Sequence, residues 1–119
     1  MSVPESPPTM ALADLLIGLL ERVPMTEAQI ARATLADPTT IQAWLRRREA
    51  PTGMESQRLT ELVGFVAEMA RNIRGDGLVE WLDRDIDFLQ GGNPLDELAA
   101  GGYERLIQLA LGLTHSIFA

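Results

Sequence analysis

Hydrophobic residues recur three or four positions apart along most of the chain, in seven blocks separated by Gly, Pro and helix-capping residues. This spacing places the apolar side chains of each block on one helical face, and no block alternates with the period of two typical of strands. The predicted helices cover residues 10–21, 27–34, 38–48, 56–74, 78–88, 94–98 and 103–116. The pattern therefore predicts an all-α fold.

Capping residues define several of these boundaries. Thr26 is followed three positions later by Gln29, the pattern of a capping box, in which each side chain accepts a hydrogen bond from the other residue's backbone amide. Asp37 precedes Pro38, a combination typical of a helix start because Asp caps well and Pro suits the first helical turn. Gly75-Asp76-Gly77 predicts the end of the fourth helix.

Composition divides the chain into a leader and two predicted domains. Residues 1–9 are rich in Pro and Ser and predict a short flexible leader. Residues 10–74 form the first predicted domain, and together with the leader they carry a net charge of −1. Residues 75–119 form the second predicted domain and carry a net charge of −6. Nucleic-acid phosphates are attracted to basic surfaces, so an acidic domain disfavours nucleic acid as its partner. The second predicted domain therefore points to a protein partner.

Length and composition exclude several classes of protein. The chain has 119 residues, a net charge of −7, no Cys and one His, which leaves no disulfide framework and no thiolate or His-based zinc site. No apolar run approaches the roughly 20 residues that span a bilayer, and the first residues lack the basic region of a secretory signal. We expect a soluble cytoplasmic protein that is not an enzyme, binds no metal or cofactor and does not contact a membrane.

Residues 26–48 have the spacing of a helix-turn-helix, in which a short capped helix, a turn of three or four residues and a second helix follow one another. In this motif the second helix enters the DNA major groove. Its candidate base contacts are Thr39, Thr40 and Gln42. Its candidate phosphate contacts are Arg46, Arg47 and Arg48. One copy carries a modest basic patch, so we expect a dimer to be the DNA-binding form.

An alternative interpretation of this helix pair is purely structural. Helices joined by a short turn occur in many proteins that do not bind DNA. Three Arg residues at the end of a helix also complement the helix dipole without any partner. The residues alone leave both interpretations open.

The second predicted domain contains an ordered set of short motifs, which are Trp81-Leu82, Gly92 with Pro94-Leu95, Leu98, Gly101 and an apolar helix up to Phe118-Ala119. In this order they resemble the toxin-binding domain of the Xre–MbcA–ParS antitoxin family, which follows an Xre-like helix-turn-helix similar to residues 10–51. The resemblance covers residues 10–119. The chain departs from the family pattern at Asp85-Ile86, where a Pro-Asn pair is common, and at Ser116, where Gly is usual.

The resemblance implies a helix-turn-helix bundle followed by a small helical toxin-binding domain. Antitoxins of this family pair with RES-domain toxins, which degrade NAD, and their C-terminal segment blocks the NAD pocket of the toxin. Carried over to this chain, the implied toxin-binding residues are His115, Ser116, Ile117, Phe118 and Ala119. The resemblance also implies a homodimer within a larger toxin–antitoxin complex that represses its own operon by binding operator DNA.

Several of these residues have simpler interpretations. His115 also suits the negative end of the last helix dipole, and Phe118 could instead pack against its own domain. Trp44 and Trp81 lie among apolar neighbours and are predicted core residues. Three acidic residues lack the pattern of a calcium loop and are predicted to be solvated, namely Asp83, Asp85 and Asp87.

Two functions remain in competition at this point. The first is an antitoxin that neutralises a RES-domain toxin through residues 115–119. The second is an Xre-type DNA-binding transcriptional regulator whose C-terminal half only dimerises. A third possibility is a helical scaffold subunit with neither activity.

Overall fold

The computed structural model describes residues 10–86, 89 and 92–109. Within these residues, every element of regular secondary structure is a helix. The all-α prediction is therefore confirmed. An antiparallel bridge between Ile86 and Gly92 is the only β pairing among the described residues. The helices are α1 (Ala11–Leu20), α2 (Glu27–Thr34), α3 (Pro38–Leu45), α4 (Gly53–Met69), α5 (Gly75–Leu82), α6 (Pro94–Ala99) and α7, whose described part is 103–109.

The predicted starts of α2 and α3 are confirmed. Thr26 Oγ1 accepts a hydrogen bond from the Gln29 amide at 3.1 Å, and Gln29 Oε1 accepts one from the Thr26 amide at 3.0 Å, which completes the capping box. Asp37 precedes α3 with Pro38 in its first turn, although the Asp37 side chain makes no capping hydrogen bond. α3 ends at Leu45, earlier than predicted, so the three arginines lie beyond it.

The boundary predicted between the fourth and fifth helices is wrong. α4 covers Gly53–Met69, and Gly75-Asp76-Gly77 begins α5 instead of ending α4. The reason lies in packing, because a Cβ atom on Gly75 would overlap the backbone carbonyl of Arg22. α5 ends at Leu82, well before the predicted end of this helix.

One hydrophobic core includes side chains from all seven helices. α2 packs against α3, α4 and α6, while α1 packs against α3 and α4. Trp44 and Phe65 are the largest fully buried side chains, so the prediction that Trp44 is a core residue is confirmed. Trp81 is half-buried at the edge of this core, with its ring stacked on Phe65 at a centroid distance of 6.0 Å.

The two predicted domains share this core across residue 75. From α2, Gln29 Nε2 donates hydrogen bonds to the Val79 carbonyl at 3.0 Å and to Asp83 Oδ2 at 2.9 Å. Arg32, one turn further along α2, forms an ion pair with Asp96 on α6. The described part of the second predicted domain therefore packs directly on α2, and the boundary at residue 75 stays a prediction.

Candidate functional site

The turn between α2 and α3 consists of residues 35–37. Leu35 adopts a left-handed conformation with φ of 61°, and its amide donates to the Ala31 carbonyl at 2.8 Å, which ends α2. Ile41 and Trp44 bury one face of α3 in the core. The opposite face of α3 is therefore available to solvent.

Four of the six predicted DNA-binding residues line a shallow depression on this exposed face. Its volume is about 130 Å³, and its lining consists of Thr39, Gln42, Ala43, Arg46 and Arg48. Thr39, Gln42 and Arg46 lie three or four positions apart and so share one helical face. The remaining two predicted residues, Thr40 and Arg47, do not line the depression, and Thr40 is half-buried.

Gln42, the predicted base contact, has a partner on α2. Its Nε2 atom donates a hydrogen bond to Glu27 Oε1 at 3.2 Å. Glu27 lies in the first turn of α2, where a negative charge interacts favourably with the helix dipole. The carboxylate therefore orients the Gln42 amide, and it also places one negative charge beside the depression.

The end of α3 is a Schellman motif, and this motif separates the three arginines. The Arg47 amide donates to the Trp44 carbonyl at 3.0 Å, and the Arg48 amide donates to the Ala43 carbonyl at 2.8 Å. Arg47 occupies the left-handed position with φ of 58°, where Gly is the usual residue. This conformation costs a non-glycine residue roughly 1–2 kcal/mol.

The Arg47 side chain is engaged by α1. Its Nε atom lies 3.3 Å from Asp14 Oδ1, and its Nη2 atom donates to Asp14 Oδ2 at 3.4 Å. Arg46 and Arg48 are exposed, and among the described residues neither has a carboxylate within ion-pair distance. The three adjacent arginines therefore differ in what they can offer to a ligand.

A second candidate site, the predicted toxin-binding segment 115–119, lies outside the described residues. The helix that precedes it is described from 103 to 109 and packs on the core through the fully buried Leu106. Tyr103, at the start of this helix, places its hydroxyl close to Gly64 on α4. Before it, Asn93 Oδ1 accepts a hydrogen bond from the Leu95 amide at 2.8 Å and caps α6.

The Arg32–Asp96 pair joins α2 to this second region through two hydrogen bonds. Arg32 Nε donates to Asp96 Oδ1 at 2.6 Å, and Arg32 Nη2 donates to Asp96 Oδ2 at 2.8 Å. These hydrogen bonds lower the pKa of Asp96, against a smaller opposing effect of burial. They also raise the pKa of Arg32, to which the charges of Asp83 and Asp85 contribute.

Searches of known proteins find relatives in mycobacteria, although no protein-family model matches the chain. The mycobacterial cidal antitoxin MbcA of Mycobacterium tuberculosis is 24% identical over 107 residues, which cover 90% of this chain and 95% of the relative. MbcA of Mycobacterium bovis gives the same values. This chain is similar to MbcA over nearly its whole length.

The similarity to MbcA extends to the fold. In the crystal structure of the M. tuberculosis MbcT–MbcA toxin–antitoxin complex, one chain matches with a TM-score of 0.78 and 24% sequence identity. The match covers 91% of this chain and 97% of that chain. The fold is therefore shared over about nine tenths of this chain.

The structure reveals partners that the sequence analysis missed. Asp14 and Glu27 engage two of the predicted DNA-binding residues, and Gln29 links α2 to α5. Gln29 carried a local signal for its capping role, which is the spacing from Thr26. No local signal marks the other contacts, because they join residues that are far apart in sequence.

Three further features concern the described residues only. They contain no group of three or more His, Asp or Glu side chains that could hold a metal ion. Asp83 and Asp85 are exposed, as predicted, whereas Asp87 lies outside the described residues. Within the same residues, no helix combines the length and the apolar character needed to cross a membrane.

Proposed function

We propose that the chain is the antitoxin of a type II toxin–antitoxin system and acts by binding a toxin protein in the cytoplasm. The observation that carries this proposal is the similarity to MbcA, which spans 90% of this chain and 95% of the relative. The matching fold within a toxin–antitoxin complex supports it. The concentration of acidic residues in 75–119 supports a protein partner as well.

The partner that fits best is a RES-domain toxin that degrades NAD, as the family resemblance implies. In this mechanism residues 115–119 enter the NAD pocket of the toxin, and Phe118 is their largest apolar side chain. The antitoxin itself carries out no chemistry. The buried Leu106 side chain holds the described part of the preceding helix on the core.

Deletion of residues 115–119 tests this mechanism. Co-expressed with the toxin encoded beside it, the full chain should preserve growth and cellular NAD, and the truncated chain should lose both effects. Deletion of residues 2–9 is a matched control at the other end of the chain and should remain protective. Circular dichroism and thermal unfolding of the truncated and full chains check that any loss of protection does not come from unfolding. Full protection by the truncated chain would contradict the mechanism.

The same protein is proposed to repress its own operon as a dimer. The support for this second role is the exposed face of α3, where Thr39 and Gln42 are available to bases and Arg46 to a phosphate. A dimer presents two such helices, which suits the two half-sites of an operator. Toxin binding and DNA binding are thus assigned to different parts of the chain.

The alternative function is an Xre-type transcriptional regulator whose C-terminal half only dimerises. The basic depression on α3 is the observation that favours it. Under this alternative, deletion of residues 115–119 leaves repression of a promoter reporter intact and the neighbouring gene product is harmless. Under the antitoxin proposal, the neighbouring gene product is toxic when expressed alone, whether or not repression is observed.

A further inference from the structure

We propose that Arg46 and Arg48 are the phosphate contacts of α3 and that Arg47 is not. This inference rests on the DNA-binding part of the proposed function. By sequence the three arginines are equivalent, since they are adjacent and carry the same charge. The structure distinguishes the three arginines by the direction of their side chains and by their ion-pair partners.

The first step of the argument is the Schellman motif. It places Arg47 in the left-handed conformation, whereas Arg46 and Arg48 on either side are not left-handed. The three side chains therefore leave the backbone in different directions. Arg46 and Arg48 both line the depression on α3, next to Thr39 and Gln42. A hydroxyl and two guanidinium groups on one exposed surface form a set of donors suited to a phosphate backbone, beside the Gln42 amide that donates to Glu27.

The second step is the ion pair between Arg47 and Asp14. It directs the Arg47 guanidinium towards α1 and neutralises its charge locally. A phosphate would have to displace the Asp14 carboxylate to reach Arg47. Arg46 and Arg48 have no such competitor among the described residues. Arg46 and Arg48 are therefore available to DNA phosphates, whereas Arg47 links α3 to α1.

The salt dependence of DNA binding measures this difference. Each phosphate contact contributes about 0.9 to the slope of log K against log salt concentration on duplex DNA. The probe is a duplex from the region upstream of the chain's own reading frame, with a scrambled duplex of the same composition beside it. Binding is followed by fluorescence anisotropy between about 50 and 200 mM salt, the range over which phosphate contacts change affinity strongly.

The informative variants are Arg46→Ala, Arg48→Ala and Arg47→Gly. Gly is chosen for position 47 because it favours positive φ, so the side chain is removed without straining the turn. Arg46→Ala and Arg48→Ala should each reduce the slope by about 0.9 per bound chain, and Arg47→Gly should leave it unchanged. Arg71→Ala is the control for general loss of charge, because Arg71 is exposed, follows α4 and does not line the depression. Like Arg47, it has an ion-pair partner, which is Glu68.

Two results would overturn the inference. One is a slope that falls as much in Arg47→Gly as in Arg46→Ala. The other is an unchanged slope in Arg46→Ala and Arg48→Ala, as in the Arg71→Ala control. If the unmodified chain binds neither duplex, the DNA-binding part of the proposed function fails, and the inference fails with it. The toxin-neutralisation assay is independent of that outcome.

Discussion

Gln29 has two structural roles at the residue scale. Its carboxamide oxygen completes the capping box of α2, and its amide nitrogen donates to Val79 and Asp83 on and beyond α5. The residue is only 4% exposed, so none of these bonds is readily replaced by water. A side chain with both an acceptor and two donors is required, and Gln is one of few residues that provide it.

Gln29→Ala should lower the free energy of unfolding by about 2–3 kcal/mol, because it removes three hydrogen bonds made by a buried side chain. Gln29→Glu separates the two roles, since Glu retains the capping acceptor but places a carboxylate against the Val79 carbonyl and Asp83. At neutral pH, Gln29→Glu should destabilise the protein at least as strongly as Gln29→Ala does. Urea unfolding monitored by circular dichroism measures both changes.

The double variant Gln29→Glu, Asp83→Asn is the control for this prediction. The new amide at position 83 can donate to the new carboxylate, so the double variant should recover part of the stability that Gln29→Glu loses. Equal stability of Gln29→Glu and the unmodified chain would show that the bonds to α5 contribute nothing. Equal losses in the single and double variants would show that Asp83 is not the partner that matters.

At the scale of elements, the helices were predictable where their ends are set by nearby residues. The start of α2 follows from Thr26 and Gln29, which are three positions apart, and it matches the structure. The start of α5 was not predictable, because the role of Gly75 depends on Arg22, a residue distant in sequence. A Gly that permits close approach and a Gly that ends a helix have the same appearance in a single sequence.

The same limit applies to the candidate site. The polar face of α3 was predictable from helical spacing, and Thr39, Gln42 and Arg46 do share it. Nothing local separates Arg47 from its neighbours. Its difference comes from a backbone conformation and from an ion pair with Asp14, both of which depend on how α1 packs on α3.

Gly75→Ala tests the close approach of α5 to the segment after α1. Because a Cβ atom would overlap backbone atoms of Arg22 and Val23, which cannot rotate away, the free energy of unfolding should fall by about 1–3 kcal/mol. Gly77→Ala is the matched control in the same helix, where nothing lies within 4 Å of an added Cβ. It should leave stability unchanged or raise it by up to about 1 kcal/mol. If Gly75→Ala and Gly77→Ala have the same free energy of unfolding, the close approach does not constrain α5.

At the scale of the whole molecule, α2 connects the depression on α3 to the described part of the second predicted domain. Its first turn carries Glu27 beside the depression on α3, and its later residues bind α5 through Gln29 and α6 through Arg32. α2 also packs directly against α3, α4 and α6. Substitutions that loosen α2 should therefore affect both predicted domains together, which is a reason to measure stability before interpreting any loss of binding.

The Arg32–Asp96 pair predicts how stability depends on pH. Hydrogen bonds from Arg32 lower the pKa of Asp96 in the folded protein below its value in the unfolded chain, about 3.9. The contribution of the pair is therefore complete above that value and is lost as the pH falls through the folded pKa. Since both side chains are about half exposed, we expect it to be about 0.5–1 kcal/mol.

Asp96→Asn measures this contribution when urea unfolding is compared at pH 7 and at about pH 2, which is below the unfolded pKa. The variant should be less stable than the unmodified chain at pH 7, and the difference should shrink at the lower pH because Asp96 is then increasingly protonated in both states. Arg32→Ala and the double variant complete a cycle, whose coupling energy should shrink with pH in the same way. A loss of equal size at both pH values would mean that Asp96 acts through contacts that do not depend on its charge. The pair would then not be the pH-dependent link between α2 and the base of the predicted toxin-binding domain.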